Sequence, residues 1–338
     1  MSAATVQIEV LPRSVRVVLW CGLLALLAFP FVASDFYLAM VNRMMILAIF
    51  AMSLDVLQGV SGLVSLGHAA YFGVAGYALA FLTPAGEPVS LYTSLPLAVG
   101  AATLVALVIG FLVVRTHGIY FIMVTMAFAQ MLYYVFFDNK SLGGSDGVFI
   151  NFRPDALFFD LENKRNFYFF TLACLVAVYA YLRHVLWTPL GRALAGLRVN
   201  EHRMQALGYD TFVHKLAAFT FAGSLAGLAG YLWAAQTGFV NPELLGFHLS
   251  AHAIMMLILG GMGNFAGAIL GAFSFEYLMH VFKDLPATDG FDFGKHWQMW
   301  MGLFIVLWVI FAPKGLIGLL QRLGQSPETQ EKQEAQDD

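Results

Sequence analysis

The chain has 338 residues, of which 59% are hydrophobic and only 12% are charged, and its formal net charge is −3. Soluble domains carry nearer 25% charged residues, so this composition excludes a soluble protein and predicts an all-α polytopic membrane protein. The apolar content would fill about ten spans of roughly 20 residues, and the continuous apolar runs argue against the alternating strands of a barrel.

The first apolar run extends from Val17 to Ala33 and follows Arg13 and Arg16. This arrangement resembles a secretory signal. No good small-residue cleavage pattern follows it, however, and many more apolar runs do. We therefore predict that this run is the first transmembrane helix.

The stretch from Met44 to Leu82 is too long for one span, and no polar loop divides it. Glycines interrupt its centre, and backbone freed within lipid must be satisfied by protein or by water in a cavity. Such segments are candidates for a transport path, although close helix packing through small residues explains the glycines equally well. Asp55 and His68 favour the functional interpretation, because ionisable groups inside a membrane are costly. The candidate path residues here are Asp55, Ser61, Ser65, Gly67 and His68.

Two ordinary spans and a long loop come next. Leu95–Val114 and Ile119–Phe137 are predicted helices, joined by a tight turn at residues 115–118. The loop over residues 138–166 has mixed charge, and loops of this length are uncommon in compact domains. We predict that it forms a partner surface or a lid on the outer side of the membrane. Its candidate docking residues are Gly143, Gly144, Ser145 and Asp146, within LGGSDG.

A polar segment over residues 187–215 separates two further apolar runs. Thr188 and Pro189 are typical first residues of a helix, and Gly208 is a typical end. Apolar residues at spacings of three and seven give this predicted helix one stripe. The basic side of this helix could bind a partner. Alternatively, its positive charge only reflects the excess of Lys and Arg in cytoplasmic loops. The stripe consists of Leu194, Leu197, Met204 and Leu207, and the basic positions outside it are Arg192, Arg198, His202 and Arg203.

The stretch from Leu249 to Phe282 repeats the interrupted pattern around the sequence LGGMGNFAGAILG. Two such stretches suggest an internal structural repeat, and we predict that their interruptions meet near the centre of the subunit. The candidate path residues here are Gly261, Gly263 and Asn264.

Two motifs in this stretch do not support a cofactor or a metal. Gly261-x-Gly263-x-x-Ala266 formally matches a dinucleotide fingerprint, but no strand precedes it. His248 and His252 are spaced i, i+4 and make only half a metal site. We predict neither a metal nor a cofactor bound by this chain.

Loop parity predicts which segments share a side of the membrane. If residues 187–215 are cytoplasmic, both termini and the Arg115 turn are too, and that side carries eleven of the eighteen Lys and Arg residues. This bias agrees with the positive-inside rule. The predicted domains are a cytoplasmic segment over residues 1–14, a transmembrane domain over residues 15–320 and a disordered cytoplasmic tail over residues 321–338.

Several stretches, all in one order, resemble a known family. They are GVSGLVSLGHAAYFGVAGY, THGIYFIMVTMAFAQM, LGGSDG, TPLGRALAGLRVNEHRMQALGYD, LILGGMGNFAGAILGA and FAPKGLIGLL. All are similar to motifs of branched-chain amino acid ABC permeases of the LivM type. The resemblance runs from Met44 to Leu320, with Asp55 where relatives often have Asn and Leu63 where they often have Gln.

The resemblance implies a permease subunit of an ATP-binding-cassette importer for branched-chain or related hydrophobic amino acids in a bacterial inner membrane. It implies a second, LivH-like permease subunit, two cytoplasmic ATPase subunits that bind the ATP, and a periplasmic or surface-tethered binding protein that docks near residues 143–146. The helix after Trp187 would then dock into the ATPase. The implied coupling residues are Arg192, Leu194, Leu197, Arg198, Glu201, Arg203, Leu207 and Gly208.

Other functions remain alternatives from the sequence alone. Related permeases carry urea, amides or other small organic solutes. A secondary transporter would usually show a buried acidic or basic relay, and only Asp55 and Glu276 are clear mid-span acids. A membrane enzyme or sensor is disfavoured because the chain has neither a phosphate-binding loop nor a recognisable catalytic cluster. We therefore predict a transport subunit that is not itself an enzyme.

Overall fold

The computed structural model describes residues 13–84, 86–156, 160–285, 287–288, 291–292 and 294–323. Within these residues the chain is a helical bundle with short strands in its loops. Eight of the described helical segments are long and apolar enough to cross a membrane, and two shorter apolar helices bring the set to ten. The predicted fold of about ten helices, two of them interrupted, is confirmed.

The helices are α1 (Arg13–Val32), α2 (Asp35–Asp55), α3 (Ala69–Leu82), α4 (Leu91–Val113), α5 (Ile119–Asp138), α6 (Lys164–Trp187), α7 (Pro189–Val199), α8 (Glu201–Ala206), α9 (Thr211–Thr237), α10 (Phe247–Gly260), α11 (Phe265–Lys283), α12 (Trp297–Phe311) and α13 (Gly315–Leu323). The strands are β1 (Val148–Phe149), β2 (Phe239–Val240), β3 (Ala287–Thr288) and β4 (Phe291–Asp292).

The centre of the bundle is α2, which is the most deeply buried of the eight long segments. It packs against α6, α9, α10 and α11. The helix begins at Asp35, well before the apolar stretch that the sequence defines from Met44. Asn42 and Arg43 therefore lie inside a helix, where Asn42 is buried and Arg43 forms an ion pair with Glu276 of α11.

Small residues on α9 allow close contact with its neighbours, as the sequence AGSLAGLAG predicts. A Cβ placed on Gly223 would overlap Ala106 of α4, and one placed on Gly230 would overlap the Phe72 carbonyl of α3. Helices in membranes associate largely through such close van der Waals packing. The α3–α4–α9 group is accordingly the most extensively packed part of the bundle.

The two ends of the bundle carry different elements. At one end, which we call the α7 end, α7 contacts the turn after α2, and α13 contacts α1, α10 and α11. At the other, the β1 end, β1 pairs antiparallel with β2 and Asp155 bridges to Ser90. The start of α1, α7 and α13 thus share one end, as loop parity predicts.

One predicted helix is divided in two. The sequence favours a single helix from Thr188 to Gly208, but the structure has α7 and α8, separated at Asn200. Asn200 has φ −161° and ψ 106°, and its side chain accepts a hydrogen bond from Arg203 N–H at 3.0 Å. An Asn side chain that caps a new helix competes with continuation of the old one, which explains the break. The predicted start at Thr188, with Pro189 in the first turn, is confirmed.

The predicted terminal segments fall mostly outside the described residues. Of residues 1–14, only the start of α1 at Arg13 is described, and α13 extends beyond residue 320 to Leu323. The remainder of the predicted tail, residues 324–338, is not among the described residues.

Candidate functional site

The first interruption begins where α2 widens into a π-helical turn, Val56–Val60. Ser61 Oγ donates a hydrogen bond to Val56 O at 2.9 Å and so closes this turn. Gly62 follows with φ +74°, a left-handed conformation that residues with side chains rarely adopt. Single π-helical turns are often found at functional sites. The predicted break in the stretch from Met44 to Leu82 is thus confirmed between α2 and α3.

Side chains from neighbouring helices bind the backbone that this interruption frees. Leu66 N–H donates to Thr125 Oγ1 of α5 at 3.3 Å, and Ala69 N–H donates to Ser250 Oγ of α10 at 2.9 Å. An unpaired backbone group at membrane depth is costly, so both hydroxyls stabilise the break. Sequence reasoning missed these roles, and the available indication was one small hydroxyl residue within each mostly apolar helix.

His68 joins the start of α3 to α2. It is fully buried, its Nε2 lies 2.9 Å from Ser53 Oγ, and its ring stacks on Phe50 with centroids 5.6 Å apart. Within the described ranges, His68 Nδ1 and the buried Ser65 Oγ have no hydrogen-bond partner. His68 therefore has a structural contact on one ring nitrogen and an unsatisfied polar atom on the other.

Gly67 lies directly against the backbone of α5. A Cβ at this position would overlap the Thr125 carbonyl. A leucine here would therefore disturb folding, so replacing Gly67 by Leu does not separate a transport defect from a packing defect.

The second interruption lies between α10 and α11. Gly263 has φ +85°, and Gly261 before it has φ +109°. Asn264 Oδ1 accepts hydrogen bonds from Ala266 N–H at 3.0 Å and from Gly267 N–H at 3.4 Å. Asn264 therefore caps α11. The side-chain oxygen of Asn264 is therefore already hydrogen-bonded to the backbone of α11. It is not a free dipole that could line a transport path.

The two interruptions contact each other, but at the α7 end of the bundle and not near the centre of the subunit, where the sequence predicts that they meet. Asp55 Oδ1 accepts a hydrogen bond from Gly263 N–H at 2.8 Å. A Cβ on Gly59 would overlap both Asp55 Oδ1 and the Gly263 backbone, so only glycine allows this approach. From α7, Arg198 Nη1 donates to the Gly59 carbonyl. We call Asp55, Gly59, Arg198 and Gly263 the junction.

The junction holds a buried ionisable group. Asp55 is fully buried, and its Oδ2 has no hydrogen-bond partner in the part of the chain that the structure describes. Arg198 interacts electrostatically with this carboxyl group. Arg198 acts on this carboxyl group and also contacts the Gly59 carbonyl, so its position matters to both interruptions.

The contacts of α8 fix its position outside the bundle core. Glu201 Oε1 lies 2.6 Å from Lys215 Nζ of α9, and Oε2 lies 3.6 Å from His117 Nε2 in the α4–α5 turn. Partial burial opposes ionisation of Glu201, but the hydrogen bond and charge of Lys215 outweigh it and lower the pKa of Glu201 below its ordinary value. Glu201 thus acts as a tether between α8 and the bundle.

The structure corrects the set of predicted docking residues on α7 and α8. Leu194 and Leu197 are only 2% and 6% exposed, because the apolar stripe of α7 faces this chain's own core. They are not available to a partner, and Leu197→Asp would disrupt packing. Leu207 is 67% exposed, and Arg192 and Arg203 are exposed as well.

The predicted docking loop forms two 3₁₀ turns, Lys140–Leu142 and Gly144–Asp146. Gly143 and Gly144 have φ +96° and +54° and shape the loop, and Gly144 is buried. Ser145 and Asp146 are exposed, and Ser145 Oγ donates to Asp146 Oδ1 at 3.3 Å. Of the four predicted docking residues, Ser145 and Asp146 are the two that present side chains at the surface.

Comparison with known proteins identifies relatives over most of the chain. Residues 36–313 match the family model described as "Branched-chain amino acid transport system / permease component". The high-affinity branched-chain amino acid transport system permease protein LivM of Escherichia coli is 32% identical over 316 residues, covering 86% of this chain and 72% of the relative. The Salmonella typhimurium protein of the same name is 31% identical with the same coverage.

A more distant relative is archaeal. The probable branched-chain amino acid transport permease protein LivM of Methanocaldococcus jannaschii is 25% identical over 294 residues, covering 79% of this chain and 84% of the relative. No solved structure matched the chain significantly.

Proposed function

The chain belongs to the family of branched-chain amino acid transport permease components, and from this premise we propose that it imports branched-chain or related hydrophobic amino acids, driven by separate ATPase subunits. Its proposed partners are a second, LivH-like permease, two cytoplasmic ATPases and a substrate-binding protein outside the inner membrane. The proposed orientation has both termini and α7 in the cytoplasm. The family match and the shared end of α1, α7 and α13 support it.

The observation that carries the proposal is the contact of Arg198 with the first interruption. Arg198 lies on a short helix at one end of the bundle, yet it donates to the Gly59 carbonyl inside the membrane-spanning part. Gly59 in turn packs on Gly263 of the second interruption. A displacement of α7 by an ATPase therefore has a direct route to both breaks.

The proposed translocation path runs beside the two interruptions. Ser65 and His68 keep buried polar atoms without partners in the described part of the chain, and the surrounding helices are apolar. A hydrophobic amino acid needs apolar walls with a few dipoles, and strong free charges would retain it. Asp55 meets this requirement because its Oδ1 accepts a hydrogen bond from Gly263 N–H and is not free in a path.

The test of function is uptake of labelled leucine by the complete importer reconstituted in liposomes. We expect uptake to require ATP and the binding protein and to persist with a protonophore. Uptake that a protonophore abolishes, at constant ATP, would instead indicate a secondary transporter. Excess isoleucine and valine should compete with leucine, whereas urea and acetamide should not.

The proposed contact with the ATPase is tested at Leu207, the exposed residue of the stripe. Leu207→Asp should leave the chain folded, because this side chain does not pack in the bundle, and should reduce leucine uptake about tenfold or more. Leu207→Met is the matched control and should transport normally. Full ATP-coupled uptake by Leu207→Asp would place the contact elsewhere.

A further inference from the structure

A cavity of about 590 Å³ opens at the β1 end of the bundle, between α2, α6, α9 and α11. Its size lies within the range of about 300–1,000 Å³ that is typical of small-molecule sites. It is separate from the junction, which lies at the α7 end. Two ionisable residues of membrane-spanning helices, Arg43 and Glu276, line it. Such residues are rare at this depth and usually mark a functional site.

The ion pair between these residues leaves part of each group available. Arg43 Nε lies 2.9 Å from Glu276 Oε1, and the guanidinium group stacks on Trp233 at 4.7 Å from the ring centroid. Among the described residues, nothing binds the two Nη atoms of Arg43 or the second oxygen of Glu276. The Glu276 side chain is 7% exposed and that of Arg43 is 46% exposed. The pair thus offers a positive fork next to a recessed negative oxygen.

Two amide oxygens in the cavity lining also lack partners. Asn42 is only 3% exposed, and its Oδ1 accepts no hydrogen bond from any described residue. The same holds for Gln236 Oε1, whose orientation is fixed because Nε2 donates to the Ala39 carbonyl at 2.7 Å. A buried acceptor without a donor is costly.

The remaining lining supplies a wall and a charged rim. Leu38, Phe167 and Met279 are buried and give the wall its apolar character. Lys164 and Lys283 stand at the outer edge, where positive charge attracts a carboxylate. The cavity therefore combines a cationic fork, a carboxylate and an apolar surface.

We propose that this cavity binds a zwitterionic hydrophobic amino acid. The substrate carboxylate binds the Nη atoms of Arg43, and its ammonium group donates to Glu276. Its side chain lies against Leu38, Phe167 and Met279. The inference rests on the proposed function and deepens it, since it places a recognition site for the substrate within this one subunit.

A purely structural bridge between α2 and α11 would explain the Arg43–Glu276 contact but not the other features. A bridge needs neither a cavity beside it nor an apolar wall facing that cavity. Removing either partner of a hydrogen bond between a charged ligand group and the protein typically weakens binding more than tenfold. The two interpretations therefore predict different binding affinities for substrate analogues that lack one charged group.

The experiment uses the complete membrane complex in nanodiscs without the binding protein. Binding is measured for L-leucine, for L-leucinamide, which lacks the carboxylate, and for 4-methylpentanoate, which lacks the ammonium group. We expect leucine to bind about tenfold or more tightly than either analogue. Arg43→Gln should remove the preference over leucinamide, and Glu276→Gln should remove the preference over 4-methylpentanoate.

Three variants separate recognition from stability. Lys140→Gln removes an exposed positive charge outside this cavity and should leave leucine affinity nearly unchanged. Arg43→Lys retains the charge but loses the fork, so it should fold normally and bind leucine weakly. The double exchange Arg43→Glu with Glu276→Arg restores an ion pair with reversed polarity. It should recover thermal stability but not leucine binding.

Recovery of leucine binding by the double exchange would overturn the proposal, as would equal wild-type affinity for leucine and both analogues. ATP-driven leucine uptake by the same wild-type complex tests the proposed function separately from the proposed binding site. Uptake without selective binding in this cavity would refute the site and leave the function intact. Selective binding without ATP-driven uptake would support the site and refute the proposed function.

Discussion

Asp55 shows how a single residue connects distant parts of the chain. Its carboxyl oxygen holds the Gly263 N–H, which lies 208 positions away in sequence. An asparagine would offer the same acceptor without the charge. The hydrogen bond and the charge of this residue can therefore be tested separately.

We predict that Asp55→Ala lowers the free energy of unfolding by about 1–3 kcal/mol, because Gly263 N–H loses its acceptor in a buried site. Asp55→Asn should stay close to the wild type in stability and retain leucine uptake. Thermal unfolding of the purified protein in nanodiscs measures the first effect. If Asp55→Asn is as unstable as Asp55→Ala, the charge next to Arg198 and not the hydrogen bond holds the junction.

Arg198 is the residue that joins the exposed helix α7 to the junction. We predict that Arg198→Ala retains ATP hydrolysis but reduces leucine uptake about tenfold or more, because α7 loses its charge-assisted contact with the Gly59 carbonyl. Arg165→Ala is the matched control, since Arg165 is also exposed but lies on α6, at the β1 end. Equal transport by the two variants would show that α7 acts on the breaks through other residues.

At the scale of elements, the interruptions depend on glycine where two backbones cross. We predict that Gly59→Ala prevents the contact with Gly263, destabilises the protein and abolishes uptake, because its Cβ would overlap Asp55. Gly100→Ala is the control, as a Cβ there meets nothing within 4 Å. It should be neutral or should stabilise α4 by about 0.5–1 kcal/mol. Thermal unfolding and uptake assays on both variants measure the difference.

The attachment of α8 should depend on pH. The folded-state pKa of Glu201 lies below its ordinary value of 4.5, so its ion pair with Lys215 contributes stability above that pH. This contribution disappears as the pH falls through the folded-state pKa. We predict that Glu201→Gln is less stable than the wild type at pH 7 and equally stable in acid. Thermal unfolding across this range tests it, with Glu87→Gln, an exposed site, as the control.

The interrupted stretches could be predicted because glycine, serine and charged residues within long apolar runs have few explanations in a membrane. The residues that contact one another at the junction could not be predicted from the sequence. Arg198 is one of several basic residues on an amphipathic helix, and its acceptor, the Gly59 carbonyl, has no side-chain signature. The inward position of Leu197 also escaped prediction, because an apolar stripe indicates burial but not which surface covers it. Asn200 illustrates how one capping residue redefines an element.

At the scale of the whole molecule, the shared end of α1, α7 and α13 makes the topology testable. In a background with Cys21 and Cys174 replaced by serine, we predict that Ser145→Cys is labelled by a membrane-impermeant thiol reagent in intact cells. Arg203→Cys, equally exposed but at the α7 end, should be labelled only after permeabilisation. The reverse result would invert the proposed orientation and remove α7 from the cytoplasm.

The short helix α3 has a consequence for how the chain enters the bilayer. Its 14 residues span about 21 Å, less than the roughly 30 Å of hydrocarbon, and most of them are buried by other helices. Its most extensive packing is with α9, which the ribosome makes long after α3. We therefore expect that α3 cannot rest stably in lipid during synthesis, and that it takes its final position only when α9 arrives.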